Sequence, residues 1–169
     1  MGAVDYRYFL GLDLSYSSTG VVLLDSESTG SKEIVAVNVA AGKPSDTFPI
    51  RATFLLEGIW RSIPRNLKSK NGISNTLVII EGAAYAATYN AFMLGELNGV
   101  IKFWLATKGY DYILIPPTTL KKYATNDGRA DKKKVMQHVT KKWDFSHTCN
   151  DIVDAYVLAR MGMEGWRPR

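Results

Sequence analysis

The chain has 169 residues, of which 46% are hydrophobic and 22% are charged, so it suits one folded domain over 1–169 and general disorder is excluded. A single cysteine, Cys149, excludes an internal disulfide framework and a cysteine-rich zinc site. No apolar run approaches the roughly 20 residues of a membrane span, and the first residues form no signal peptide, so a cytoplasmic protein is expected. The net charge of +5 favours a polyanionic partner.

The first forty residues predict an antiparallel meander of three strands. Apolar runs at 6–12 and 20–24 indicate buried strands, and the Ser- and Gly-containing stretch 15–20 between them supplies turn chemistry. The Val, Ile and Ala content of 33–40 predicts the third strand.

The middle of the chain predicts a helix followed by a loop and a buried strand. Apolar residues at helical spacing indicate a helix over 48–63, with Ser45 or Asp46 as its N-cap. The segment 64–75 is polar and predicts a loop. The short apolar run 77–80 is typical of a strand that is buried on both faces.

A long helix is predicted over 83–107. Gly95 and Gly99 are four residues apart, so they would let another backbone approach closely, and Gly109 is a C-cap signal. A strand over 112–115 then ends at two prolines.

Three helices are predicted in the C-terminal third, over 118–123, 131–143 and 151–161. The first has a threonine N-cap, the second is basic, and the third is mostly apolar. Strands followed by strand–helix units predict an α/β fold with a mixed sheet and helices on its faces.

Four carboxylates lie at the ends of apolar segments or in an apolar helix: Asp13, Glu81, Asp151 and Asp154. An unpaired charge at the edge of a core is costly, and a divalent cation would offset that cost. Each residue alone also fits a structural role, such as a strand-end turn or an acidic first turn of a helix. Together they match the requirements of two-metal phosphodiester hydrolysis.

The positive charge is concentrated in one segment. Between 108 and 142 there are nine basic and three acidic residues, so the remainder of the chain is close to neutral. A basic segment next to a cluster of carboxylates favours a nucleic-acid substrate.

Four ordered motifs resemble those of the RuvC-type Holliday junction resolvases, of the RNase H-like superfamily. They cover most of the chain, from 7 to 162. The motifs are the first-strand segment 11–20, the acidic segment 79–81, the basic segment 120–135 and the D-x-x-D-A helix at 150–155.

This resemblance implies an RNase H-like fold, in which a three-strand meander continues into parallel strands between helices. It implies a homodimer that cuts four-way DNA junctions by paired symmetric nicks. It makes Asp13, Glu81, Asp151 and Asp154 the catalytic ligands of two Mg²⁺ ions, which Mn²⁺ can replace. It also implies DNA contacts by Lys121, Lys122, Arg129, Lys132, Lys133, Lys134 and Tyr85.

The chain departs from the bacterial members at two places. Ala84 stands where they have an aromatic residue, and Tyr85 beside it is either a substitute that stacks on a base or a core residue. The segment 14–16 replaces a common Pro-Gly pair. These departures predict a divergent branch of the family, such as a phage-encoded one acting in the host cytoplasm.

Three other interpretations compete with this one. An ATP-binding fold of the actin and sugar-kinase type shares the opening hairpin but needs two such domains, which 169 residues cannot supply. A ribonuclease H acting on RNA–DNA hybrids would use the same metal chemistry. A non-catalytic junction-binding protein would not need the carboxylates.

His138 and His147 have no assigned role; His147 fits either a solvated loop residue or an aid to proton transfer.

Overall fold

The computed structural model of the chain describes residues 5–28, 33–82 and 89–166. Five strands form one sheet in the order β3-β2-β1-β4-β5. The strands are β1 (Tyr8–Leu14), β2 (Ser18–Asp25), β3 (Glu33–Ala40), β4 (Thr76–Glu81) and β5 (Asp111–Ile115).

The sheet is mixed, as the sequence predicts. β1 pairs antiparallel with β2, and β2 pairs antiparallel with β3, which gives the expected meander. β4 runs parallel to β1, and β5 runs parallel to β4. The carboxyl ends of β1, β4 and β5 therefore lie along one edge of the sheet.

Helices cover both faces. They are α1 (Phe48–Ser62), the short α2 (Lys70–Ser74), α3 (Tyr89–Lys108), α4 (Pro117–Thr125), α5 (Lys132–Trp143) and α6 (Asn150–Met163). One buried cluster joins α1 and α3 to one face of the sheet, and a second joins α4, α5 and α6 to the other. None of the helices that the structure describes has both the length and the apolar character to cross a membrane.

Strand alternation decides which face each residue of β1 meets. Leu10 and Leu12 pack in the cluster with α1 and α3, whereas Phe9 packs in the cluster with α6. Since side chains alternate along a strand, Asp13 lies on the same face as Phe9. The same alternation in β4 places Glu81 on the face of Ile79, which is also the α6 face.

Several local predictions differ from the structure. The predicted loop 64–75 contains a 3₁₀ turn at Arg65–Lys68 and the helix α2. Here Ser69 caps α2 by accepting a hydrogen bond from the amide of Gly72. The polar composition of the segment favours a loop, so this N-cap is not predicted from the sequence. The N-cap of α1 is Thr47 and not Ser45 or Asp46.

The C-terminal helices also differ in detail. α4 begins at Pro117, whose fixed φ suits a first helical position, and not after a threonine cap. Asp131 precedes α5 as its N-cap, accepting a hydrogen bond from the amide of Lys134. Gly109 has a φ of 84°, as expected of a residue ending a helix. The segment 83–88 of the predicted long helix lies outside the described residues.

Candidate active site

Two of the four carboxylates lie at the ends of neighbouring parallel strands. Leu12 of β1 is in register with Ile80 of β4, so the residues that follow, Asp13 and Glu81, are adjacent on the α6 face. Asp13 is 7% exposed. The parallel pairing of the two strands therefore creates a pair of buried acids at one edge of the sheet.

Helix α6 brings Asp151 and Asp154 to the same place because two glycines let it lie directly on the strands. A Cβ at Gly20 of β2 would be 2.0 Å from the carbonyl oxygen of Asp151. A Cβ at Gly11 of β1 would be 2.0 Å from the carbonyl oxygen of Ala155. No larger residue fits either position without moving the backbone of α6.

We expect Gly20→Ala to displace the start of α6 and to reduce cleavage activity at least about 10-fold, since small misplacements at an active site are costly. The same overlap should destabilise the fold by about 1–3 kcal/mol. Circular-dichroism melting and a junction-cleavage time course measure the two effects. Unchanged melting temperature and activity would show that α6 does not need this close approach.

The four carboxylates open into one cavity of about 290 Å³. Two lysines of the basic segment, Lys121 from α4 and Lys132 from α5, also line it. The complete lining is Asp13, Leu14, Ser15, Glu81, Pro117, Lys121, Lys132, Val135, Asp151 and Asp154. Five elements that are distant in sequence thus meet at this edge of the sheet.

Burial and nearby negative charge make Asp13, Glu81 and Asp154 hard to ionise. Burial raises the pKa of Asp13 well above its usual value, and the hydrogen bond and charge of Glu81 raise it further. Burial also raises the pKa of Glu81. The pKa of Asp154 rises to about 7, mainly through burial and then through the charge of Asp13. Lys132 opposes all three shifts.

These residues fit a divalent metal. Carboxylate oxygens are the ligands that Mg²⁺ prefers, and none of the salt bridges among the described residues involves the four acids. Within the described ranges, no three His, Cys, Asp or Glu side chains are already close enough together to hold an ion. The carboxyl groups of Asp13 and Glu81 interact with each other, and burial favours the protonated form of both. A cation in the cavity would compensate their negative charge.

Two serines of the first motif support the site, although the sequence suggested only a turn. Ser18 donates a hydrogen bond of 2.7 Å from Oγ to Oδ2 of Asp151. Ser15 donates a hydrogen bond of 2.7 Å from Oγ to the carbonyl oxygen of Ser18, which closes the β1–β2 turn. Both serines lie where the chain turns from β1 into β2, and this position in the motif is the sequence feature that could have identified them.

Arg51 of α1 holds the same turn from the opposite side. It is 6% exposed, and its guanidinium donates to the carbonyl oxygens of Tyr16 at 2.6 Å and Lys43 at 3.0 Å. It also stacks over the ring of Tyr16, 4.4 Å from the centroid. The sequence feature that could have indicated this role is the spacing of Arg51. It lies four residues before the buried Leu55 and therefore on the apolar stripe of the helix.

We expect Arg51→Met to destabilise the protein by about 2–4 kcal/mol, because it leaves buried carbonyl oxygens without donors. The matched control is Arg61→Met on the same helix, whose exposed guanidinium pairs with Glu57 and which should cost under about 0.5 kcal/mol. Urea unfolding measures both. Equal effects of the two substitutions would contradict the role of Arg51.

The other predicted DNA-contacting residues lie outside the cavity lining. Lys122, Arg129 and Lys133 are exposed on α4, the following loop and α5. Lys134 forms a salt bridge of 2.8 Å with Asp127, so its charge is partly neutralised. Tyr85 lies outside the described residues. The contacts of these residues with DNA stay predictions.

Neither histidine lines the carboxylate cavity. Nδ1 of His138 bonds to the carbonyl oxygen of Lys134 in its own helix. Nδ1 of His147 accepts a hydrogen bond of 3.0 Å from the amide of Cys149 and thereby stabilises the turn before α6. The geometry favours structural roles for both.

Comparison with known proteins identifies the relatives of the chain. A crossover junction endodeoxyribonuclease RuvC from Clavibacter michiganensis subsp. michiganensis is 29% identical over 161 residues, which are 94% of this chain and 75% of the relative. A RuvC from Gloeobacter violaceus is 24% identical over 159 residues, 93% of this chain and 86% of the relative. Over most of its length, the chain is similar to these RuvC proteins. The resemblance predicted from the four motifs is thus confirmed, although no protein-family model matches.

Solved structures show that the chain has the fold of RuvC. Thermus thermophilus RuvC in complex with a Holliday junction substrate matches with a TM-score of 0.69 at 16% identity, covering 94% of this chain and 98% of that chain. The Holliday junction resolvase of fowlpox virus matches with a TM-score of 0.51 at 18% identity, covering 93% of this chain. The predicted α/β, RNase H-like fold is confirmed.

Proposed function

We propose that the protein is a metal-dependent endonuclease that resolves four-way (Holliday) DNA junctions and related branched DNA by paired symmetric nicks. The observation that supports this most strongly is the common cavity of Asp13, Glu81, Asp151 and Asp154 with Lys121 and Lys132 in a chain similar to RuvC. Acids at this density have no structural benefit in a buried cavity, whereas a phosphodiesterase requires them.

We propose that the four carboxylates hold two Mg²⁺ ions, which Mn²⁺ can replace. When bound, the ions activate the attacking water and stabilise the leaving 3′ oxygen of the scissile phosphodiester. Asp13 and Glu81 lie at adjacent strand ends, so both would contribute carboxylate oxygens to the metal site. Ser18 fixes the orientation of Asp151.

The lysines of the cavity would bind the substrate. Lys121 and Lys132 line the same space as the acids, so their ammonium groups would hold the phosphate beside the attacking water. The exposed Lys122, Arg129 and Lys133 would bind neighbouring phosphates without reading sequence. Binding should weaken steeply with salt.

We also propose a homodimer formed through α3. Phe92 and Phe103 are 67% and 73% exposed, and with Gly95 and Gly99 they lie along one side of the helix. A Cβ at either glycine would meet nothing within 4 Å, so no part of the described chain uses the close approach that they allow. A second copy of α3 would cover both aromatic rings, and two-fold symmetry suits a four-way junction.

The dimer is tested by sedimentation of Phe92→Lys with Phe103→Lys. We expect the double variant to sediment as a monomer at concentrations where the wild type is a dimer. Phe54→Lys is the matched control, since Phe54 of α1 is also exposed, at 49%, but lies on another helix. A wild type that is monomeric at tens of micromolar would contradict the proposal.

The activity is tested with end-labelled four-way junction, linear duplex and RNA–DNA hybrid, each with Mg²⁺ or with EDTA. Mg²⁺-dependent cleavage confined to the junction is the expected result. Preferred cleavage of the hybrid would instead indicate a ribonuclease H. Binding of the junction without cleavage in Mg²⁺ or Mn²⁺ would indicate a non-catalytic junction-binding protein.

A further inference from the structure

A second basic surface lies at the pole of the sheet opposite the carboxylates. The 3₁₀ turn ending at Lys68 precedes β4, and α3 ends at Lys108, just before β5. Both segments therefore lie at the amino ends of strands whose carboxyl ends form the active-site edge. The six residues of β4 separate the two poles by about 16 Å. We call the residues Trp60, Arg65, Lys68, Lys70 and Lys108 the opposite-pole surface.

Trp60 brings two lysines together at this surface. The ammonium nitrogens of Lys68 and Lys108 lie 4.8 Å and 4.9 Å from the centroid of its ring. The ring itself packs edge-on against Trp104, with centroids 5.8 Å apart. The indole is thus fixed between α1 and α3, and it brings two cations to the same ring.

These cations lack acidic partners. No salt bridge in the parts of the chain that the structure describes involves Arg65, Lys68, Lys70 or Lys108. The acids of the adjoining segments are engaged elsewhere: Glu57 pairs with Arg61, and Asp111 accepts a hydrogen bond from Tyr6. Like charges on neighbouring segments without a counter-charge repel each other, and an anion bound at this surface would relieve that repulsion.

The linear sequence does not reveal this surface, because its basic residues come from two separate segments. Lys108 belongs in sequence to the basic segment 108–142, but the fold carries it to the opposite pole from Lys121 and Lys132. There it joins Arg65, Lys68 and Lys70, which come from a different segment. The positive charge of the protein therefore forms two surfaces and not one.

We propose that the opposite-pole surface binds the phosphate backbone of a second DNA duplex segment, separate from the one at the carboxylates. Its accessible groups are ammonium and guanidinium ions, which suit phosphates and read no bases. A protein partner would require an apolar centre, which this array of cations does not supply. The choice of DNA as the polyanion rests on the proposed function.

The test compares two double variants. Each removes two positive charges, and each includes a lysine that lies over an aromatic ring. The first is Lys68→Gln with Lys108→Gln at the opposite pole. The second is Lys141→Gln with Lys142→Gln on the other face of the sheet, where Lys142 lies 4.2 Å from the ring centroid of Trp143. Both are made in the background of Lys121→Gln with Lys132→Gln, which weakens binding at the active site.

Fluorescence anisotropy with a 20-base-pair duplex at several salt concentrations is the readout. We expect the opposite-pole variant to lose at least about 5-fold more affinity than its control and to reduce the salt slope by about 2. Equal losses in the two double variants would overturn the proposal. So would capture of polyglutamate in preference to duplex, which would assign the surface to an acidic protein.

Two further measurements keep the result interpretable. If the Lys68 and Lys108 variant melts early, Arg65→Gln with Lys70→Gln replaces it, since both side chains are exposed. Junction cleavage by the protein with an intact cavity is measured separately. If the opposite-pole variant loses duplex binding but the protein with an intact cavity does not cleave the junction, only the proposed function is rejected. If that protein cleaves the junction but the opposite-pole variant binds duplex as well as its control does, only this inference is rejected.

Discussion

Asp13→Asn should reduce the rate of junction cleavage at least about 1000-fold, while the junction is still bound. Asp13 is the most buried of the four acids, and it interacts with the others, since its charge raises the pKa of Asp154 and Glu81 raises the pKa of Asp13. An amide keeps the size of the side chain but removes the charge that a metal requires. Single-turnover cleavage and electrophoretic mobility of the junction measure the two properties.

Stability should change in the opposite direction. Removing a buried acid that is costly to ionise should raise the melting temperature of the metal-free protein at pH 8. The matched control is Asp25→Asn in β2, because Asp25 accepts two hydrogen bonds from Arg7, at 2.8 and 3.0 Å, and its pKa is lowered. That variant should be less stable and still cleave. Loss of stability in Asp13→Asn would contradict the description of the site.

The metal-free protein should lose stability as the pH rises from about 5 to 8, and Mg²⁺ should restore it. The pKa of Asp154 rises from 3.8 to about 7 on folding, so the folded state binds more protons than the unfolded state between these values. Stability is therefore greatest below this window and falls through it. The shift corresponds to at most about 4 kcal/mol, reduced by the partial exposure of the side chain.

Mg²⁺ competes with these protons, so it should stabilise the protein more at pH 8 than at pH 5. Melting temperatures at four pH values, in EDTA and in excess MgCl₂, measure the difference. Asp25 does not obscure it, because a lowered pKa affects stability only at more acidic pH. A metal-free protein that becomes more stable between pH 5 and 8, or an equal Mg²⁺ effect at both, would contradict the account.

The sequence predicts the strands and singles out the four acids because both depend on local patterns. Alternation and apolar runs define β1 to β5, and a carboxylate that ends such a run is visible without any knowledge of pairing. The parallel register of β1 with β4 then places Asp13 beside Glu81, in agreement with the order of the motifs. The helix over 150–163 is similarly evident from its apolar content.

The remaining features depend on contacts between distant segments. Arg51 supports the active-site turn only because α1 packs beneath the sheet, and Gly20 matters only because α6 crosses it. The two lysines on Trp60 are 40 residues apart in sequence. Such contacts leave little local signal, because a buried arginine or a strand glycine has many possible causes.

The most direct test of the central claim uses a supercoiled plasmid that extrudes a cruciform. The four-way junction at its base is lost as soon as the first cut releases the supercoiling, so only two cuts within one binding event produce linear DNA. We predict a linear product in Mg²⁺, with nicks at symmetric positions on opposed strands, and none with Asp13→Asn. A nicked circle as the only product, or an uncut plasmid, would contradict paired resolution by this protein.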